Sequence, residues 1–170
     1  MTETPNTMAE RTAELLRERA RVELGGGQAR IDKQHEGGKL TARERVAALL
    51  DPGSFQEVGM FARHRATNFG LDTATLPADG VVTGSGSVLG RPVHVASQDF
   101  TVSGDAAGEV HSDKVATALL ASLRTGTPFV FINDSGGARV QEGIGSLAGY
   151  GRVFYNNVLL SGVVPQISVI

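Results

Sequence analysis

The sequence contains no cysteine and no tryptophan, and aromatic residues make up only 5% of its 170 positions. Without cysteine there is no disulfide framework and no thiolate metal site, which suits a reducing, cytoplasmic setting. So few aromatic faces exclude a stacking platform for nucleic-acid bases, and a formal net charge of −2 offers no footprint for a polyanion. No apolar run approaches the roughly 20 residues that span a bilayer, so no membrane partner is expected. The start, MTETPNTMAE, lacks the basic segment and apolar stretch of a secretory leader. His35, His64, His94 and His111 show no HExxH or comparable ligand spacing, so no metal is expected.

What is present describes a globular α/β chain, with 41% hydrophobic and 20% charged residues and as many as 22 glycines. Glycine at that level signals tight turns or close backbone approaches. Residues Met8 to Leu24 read as a charged helix stopped by Gly25-Gly26-Gly27, and Gln28 to Glu36 as a second, stopped by Gly37-Gly38. Thr41 and Glu44 form a capping box that opens a third helix through Leu50, ended by Asp51-Pro52-Gly53. We therefore expect a helical arm over 1–53, reading as a solvated face or an oligomer contact, and a domain over 54–170.

In that domain, Phe55 to Arg63 predicts a short strand pair or bend, and Ala66 to Asp79 a polar loop. Gly80 to Val88 and Pro92 to Ser97 alternate as two strands joined by a tight turn at Leu89-Gly90-Arg91. Gly84-Ser85-Gly86 with Gly90 imitates a dinucleotide fingerprint, but a strand follows where a helix is required, so a bend in the strand is the better reading. Glu109 to Arg124 predicts a helix with Val115, Leu119, Leu120 and Leu123 on one face. A buried strand, Phe129 to Ile132, a helix from Ser146 to Leu160 and a strand from Gln166 to Ile170 make a βαβ unit with parallel strands.

The glycine loop INDSGGARVQEG (Ile132 to Gly143) follows the first of those strands, where α/β sheets bind ligands. A phosphate-cradling loop needs a lysine after its glycines, and none follows here. A nucleophile turn needs G-x-S-x-G, and Asp134-Ser135-Gly136 lacks the first glycine. Two readings stay open. Gly136, Gly137 and Ala138 either bare their backbone N–H groups to stabilise a developing oxyanion, or merely connect strand to helix.

The segments KLTARERVAALLDPGSF (Lys39 to Phe55), PADGVVTG (Pro77 to Gly84), SQDFTV (Ser97 to Val102), NDSGGARVQEG (Asn133 to Gly143), SLAGYG (Ser146 to Gly151) and SGVVPQIS (Ser161 to Ser168) occur in that order. Together they resemble the carboxyltransferase (beta) subunits of biotin-dependent acyl-CoA carboxylases. That family includes propionyl-CoA carboxylase and methylmalonyl-CoA carboxyltransferase. The resemblance covers nearly the whole chain from Met8 onward and implies a crotonase-like (ClpP/crotonase) fold, of which this chain is the N-terminal part of the first domain.

By that resemblance, the function is transfer of a carboxyl group between carboxybiotin and the α-carbon of a short acyl-CoA, such as propionyl-CoA or methylmalonyl-CoA, through a thioester enolate. Biotin is carried covalently on a partner, a biotin carboxyl carrier or biotin carboxylase subunit, and the enzyme is a homo-oligomer, a hexamer in the family. The implied oxyanion donors are the backbone amides of Gly137 and Ala138, with Gly136 permitting the approach. Arg139, Gln141 and Glu142 are expected to hold the loop. Arg65 is a candidate for a CoA phosphate, and Ser103 and Gly104 for substrate contact. A second donor, from a GPCAGG-like helix start, is expected after Ile170, so the isolated chain is expected to be a truncated and inactive piece. A decarboxylase of the same family, or a non-catalytic fragment, is the alternative. Where the family usually has a bulky residue followed by Gly-Gly-Ser, this chain reads Ser103-Gly104-Asp105-Ala106, so Asp105 is expected to add a negative charge near a helix start, which would weaken CoA binding if this segment touches the ligand.

Overall fold

Two threonines start helices in the same way in this computed structural model, which describes residues 7–170. The Thr7 and Thr41 hydroxyls accept the backbone N–H of Glu10 and Glu44, and each glutamate reaches back to its threonine's N–H. Both orphan donors are thereby satisfied reciprocally. The helices they open are α1 (Met8–Glu23) and α3 (Ala42–Leu49), with α2 (Gln28–Glu36) between them. The first six residues of the expected arm lie outside the described residues. Gly25 and Gly27 adopt positive φ between α1 and α2, and the N–H of the intervening Gly26 donates to the Thr101 hydroxyl at 3.0 Å. Any side chain at Gly26 would collide with the Thr101 carbonyl.

Five strands form one sheet in the order β1 (Gln56–Val58), β2 (Val81–Val88), β3 (Arg91–Gln98), β4 (Phe129–Ile132) and β5 (Gln166–Val169). The β1–β2 and β2–β3 pairs are antiparallel, and β3, β4 and β5 run parallel. The β2–β3 turn is two residues, Leu89 and Gly90, both at positive φ, as a tight hairpin demands. Asp51 pins this turn, its carboxylate accepting the Leu89 and Gly90 N–H groups at 2.9 and 2.8 Å. Gly84 and Gly86 lie within an unbroken register with β3, so no bulge interrupts the strand there. A side chain at Gly84 would meet the Gln56 backbone and one at Gly86 the Leu50 side chain. Close packing is what those glycines provide.

Helices α4 (Glu109–Thr125) and α5 (Ile144–Leu160) make the two crossovers between parallel strands. They cover one sheet face, where Val115, Leu119, Val153 and Leu160 pack on Val81, Ala96 and Phe129. Ala42, Val46 and Leu50, from α3 and its end, pack with Val82, Val95 and Val130. Packing therefore runs straight across residue 53, and α3 is a layer of the fold. Arg43 also forks onto Glu57 of β1, at 2.7 and 2.9 Å. Helices α4 and α5 touch where Gly149 faces Ser112; a Cβ there would stand 2.6 Å from the Ser112 Cβ. Strand β5 is paired on one side only and exposed throughout. Among the described residues no helix is long and apolar enough to cross a membrane.

Candidate active site

Parallel pairing sets Ser97, Ile132 and Val169 abreast, so β3, β4 and β5 end along one rim of the sheet. The loop leaving β4 starts at that rim, and each of its residues is tied differently. The Asp134 carboxylate receives Arg45 at 2.6 Å, Lys39 at 3.1 Å and Gln34 at 3.1 Å, so the N-terminal helices clamp the loop's first turn. Burial pushes this carboxyl up, but the hydrogen bonds from Arg45, Lys39 and Gln34 outweigh it and hold it below the usual range. The Asp134 N–H donates to the Gln98 side-chain oxygen at 3.1 Å. The Gly136 N–H donates to the Gly104 carbonyl at 2.8 Å, and the Gly137 N–H to the Ser135 hydroxyl at 3.0 Å.

Ala138 then forms a one-residue parallel bridge with Ala107. The Ala107 N–H donates to the Gly137 carbonyl at 2.8 Å, and the Arg139 N–H to the Ala107 carbonyl at 2.9 Å. In such a pairing the central residue's own N–H and C=O point away from the partner strand. The Ala138 N–H accordingly has no protein acceptor among the described residues, whereas those of residues 136, 137 and 139 are all engaged.

Behind the bridge lies a buried ionic cluster. The Arg139 guanidinium donates to Asp79 at 2.6 Å and to Glu142 at 2.8 Å, and Glu142 accepts the Glu109 N–H at the start of α4 at 2.8 Å. Arg139 and Glu142 thus hold the loop, as expected, with Asp79 as an unforeseen third member. Asp79 also accepts the His111 N–H at 2.8 Å. The His111 ring is buried, and its Nδ1–H donates to the Asp79 carbonyl at 3.0 Å. Burial, reinforced by Arg139 and Lys114, lowers this imidazole to about 3, so it stays neutral. Asp105 departs from expectation. It is fully buried, so it presents no charge to a ligand; burial and the neighbouring Asp99 push its carboxyl well above the carboxylate range.

A cleft of about 1040 Å³ opens beside the loop, lined by Lys39, Gln98, Phe131, Ser135, Gly137 and Tyr150 among others. The structure brings Gly104, Gly136, Gly137 and Ala138 together, with Ser103 exposed at the neighbouring turn. Arg65 stands apart, in a separate groove with Phe69, Glu109 and Gln141. Its guanidinium is 3.4 Å from Asp113 and 3.9 Å from Glu109. Sequence reasoning assigned no role to Gln98, which is only 6% exposed yet reaches the cleft. Its signal was a long polar side chain at the end of a buried parallel strand. Among the described residues, no group of three or more His, Asp or Glu side chains could hold a metal.

A protein family described as the carboxyl transferase domain matches residues 33–170. The methylmalonyl-CoA carboxyltransferase 12S subunit of Propionibacterium freudenreichii subsp. shermanii is 61% identical over 97% of this chain and 32% of its own length. The methylmalonyl-CoA decarboxylase subunit alpha of Propionigenium modestum is 52% identical over 95% of this chain and 31% of its own. A solved structure of transcarboxylase 12S, a hexamer with methylmalonyl-coenzyme A and methylmalonic acid bound, superposes with a TM-score of 0.95 at 60% identity. That superposition spans 97% of this chain and 32% of the transcarboxylase chain, and the mixed sheet is the crotonase-like carboxyltransferase fold. The chain spans about a third of the length of the curated relatives it matches.

Proposed function

The chain belongs to the carboxyl transferase domain family, and we propose that it forms the acyl-CoA side of a carboxyltransferase site in which the Ala138 amide holds the thioester oxygen of an enolate. The observation that carries this reading is the unspent Ala138 N–H in a loop whose neighbouring amides are committed. When a short acyl-CoA loses its α-proton, negative charge moves onto the thioester oxygen. A fixed N–H beside that oxygen lowers the barrier, by about 3–4 kcal/mol for a typical oxyanion donor. The loop costs little reorganisation because Ser135, Gly136, Gly137 and Arg139 already hold it. Gly137, whose amide is given to Ser135, contributes by keeping the approach to Ala138 open.

Among the described residues no side chain near the loop is arranged as a general base: His111 is buried and, lowered to about 3, too weakly basic, and Glu142 is bound to Arg139. That fits a reaction whose base arrives with the second substrate, carboxybiotin on a biotin carboxyl carrier or biotin carboxylase partner. Propionyl-CoA and methylmalonyl-CoA are the proposed acyl substrates, and a homo-oligomer, hexameric as in transcarboxylase 12S, is the proposed assembly. The likeness to a decarboxylase subunit supports a second reading, since loss of CO2 from methylmalonyl-CoA generates the same enolate for the same amide.

Titrating the isotopically labelled chain with propionyl-CoA, and separately with free CoA, tests the site by amide NMR. The Ala138 resonance is expected to move with the thioester and not with CoA. An unmoved Ala138 while other signals shift overturns the assignment, and no shift at all supports the non-catalytic alternative. Carboxyl transfer from carrier-bound carboxybiotin, measured against biotin-independent CO2 release, separates the two enzymatic readings.

A further inference from the structure

The turn Ser103–Asp105 lies directly behind the glycine loop, and its three residues are all left-handed, at φ 54°, 61° and 47°. Two of its carbonyls carry the loop. Gly104 accepts the Gly136 N–H at 2.8 Å, and Asp105 accepts the Ser135 hydroxyl at 2.6 Å; that hydroxyl in turn accepts the Gly137 N–H. The Asp105 side chain packs against Gly80 and His111. It is fully buried, and neither carboxyl oxygen has a hydrogen-bond partner. His111 Nδ1 comes to 3.4 Å, but its proton is already given to the Asp79 carbonyl. A buried carboxylate without donors is among the most costly groups a fold can hold, whereas the neutral acid is tolerable.

We infer that Asp105 is a positioning residue through which the acyl-CoA site responds to pH: as a neutral acid it keeps the turn in place, and on releasing its proton to water it forces out the turn and the glycine loop that hangs on it. The groups facing it come from every neighbouring element. Asp79 lies in the turn before β2, Asp99 follows β3, His111 and Lys114 are on α4, Asp134 and Arg139 flank the glycine loop, and Tyr150 is on α5. Asp99, Asp79 and Asp134 oppose ionisation. Arg139 favours it, but its Nη1 bonds Asp79 and Glu142 and none of its donors is hydrogen-bonded to an Asp105 oxygen. Burial is the largest influence, so the neutral form extends well above the ordinary carboxylate range.

Because the folded-state value is raised, the sign is fixed. Relative to a variant without the acid, the closed turn loses up to tenfold against its opened form, in which Asp105 meets water, per pH unit above about 3.9, until the buried carboxyl itself ionises. The inference rests on the acyl-CoA reading of the loop, but its test needs no ligand. Amide hydrogen exchange of the 170-residue chain, corrected for the intrinsic pH dependence of exchange, is followed from pH 5 to 9. Wild type is compared with Asp105→Asn and with Asp105→Gly, the second suited to the positive φ and usable if the first does not fold.

The expected result is a tenfold or greater fall in Gly136 and Gly137 protection in wild type as pH rises, with β2 and β3 amides changing less than twofold and both variants flat. A flat wild type, the same fall in the variants, or a uniform fall across the sheet overturns the inference. Failure of the acyl-CoA reading shows separately, as an Ala138 resonance indifferent to thioester while the exchange result stands.

Discussion

Arg139 and Asp79, sixty residues apart in sequence, meet at 2.6 Å with both side chains out of solvent. The pair joins the turn before β2 to the loop after β4, and through Glu142 to the start of α4. Breaking one side of such a pair leaves a buried charge uncompensated, typically at about 3–5 kcal/mol. Arg139→Met is expected to destabilise the chain by that order at pH 7, measured by urea unfolding. Removing the guanidinium raises the already raised Asp79 carboxyl further, so the loss shrinks as pH falls and Asp79 takes a proton. Adding Asp79→Asn to Arg139→Met recovers part of the loss; strictly additive losses would contradict the pairing.

Asp134 should show the opposite pH behaviour. Its carboxyl is held below the ordinary value by Arg45, Lys39 and Gln34 against the effect of burial. A depressed acid contributes stability above its unfolded pKa, about 3.9, and loses it as pH drops through the lower folded value. Asp134→Asn is expected to lower stability at pH 7 by about 1.5–3 kcal/mol, the scale of a hydrogen bond to a charged group. Thermal unfolding should find that gap closing below about pH 4. A gap independent of pH would show that the clamp on the loop is not ionic.

Gly149→Ala tests the contact between α4 and α5. Alanine is the better helix former by about 1 kcal/mol, yet its Cβ would stand 2.6 Å from that of Ser112. Overpacking of this kind costs about 1–3 kcal/mol, so the substitution is expected to destabilise on balance. Ser112→Gly removes the opposing atom, and a double-mutant cycle should show favourable coupling above about 0.5 kcal/mol. Zero coupling would mean the helices part without cost.

Arg65 is the proposed substrate contact that the fold sets apart, and a CoA phosphate reaching it must compete with Asp113 and Glu109. If the contact is made, Arg65→Ala weakens CoA binding and flattens its dependence on salt, because an exposed ion pair is screened. Calorimetric titrations at low and moderate salt decide it. Unchanged affinity removes Arg65 from the site.

The local pattern carried much of the architecture. Gln28–Glu36 and Phe129–Ile132 fold over the residues their periodicity and flanking glycines indicate, and the Thr41–Glu44 box is formed as read. Helix α5 begins at Ile144 rather than Ser146, because Gly143 at φ 53° leads directly into it. What the pattern did not reveal depends on contacts between distant segments. Gly84 and Gly86 answer to Gln56 and Leu50, Asp79 to Arg139, and the burial of Asp105 to the turns packed around it. Composition places Asp105 on a surface by default, and only the packed structure takes its charge away.

The pairing of Ala138 with Ala107 also sets a rule of parity. Successive peptide units in an extended segment face alternately toward and away from a neighbouring strand, and here the bridge meets residues 137 and 139 on its near side. The direction of the Ala138 amide is therefore fixed by which loop residue stands opposite Ala107 in the bridge. A one-residue slip of this pairing would turn the amide inward even with every named side chain retained. Register against Ala107, as well as the side chains that hold it, is what aims this loop.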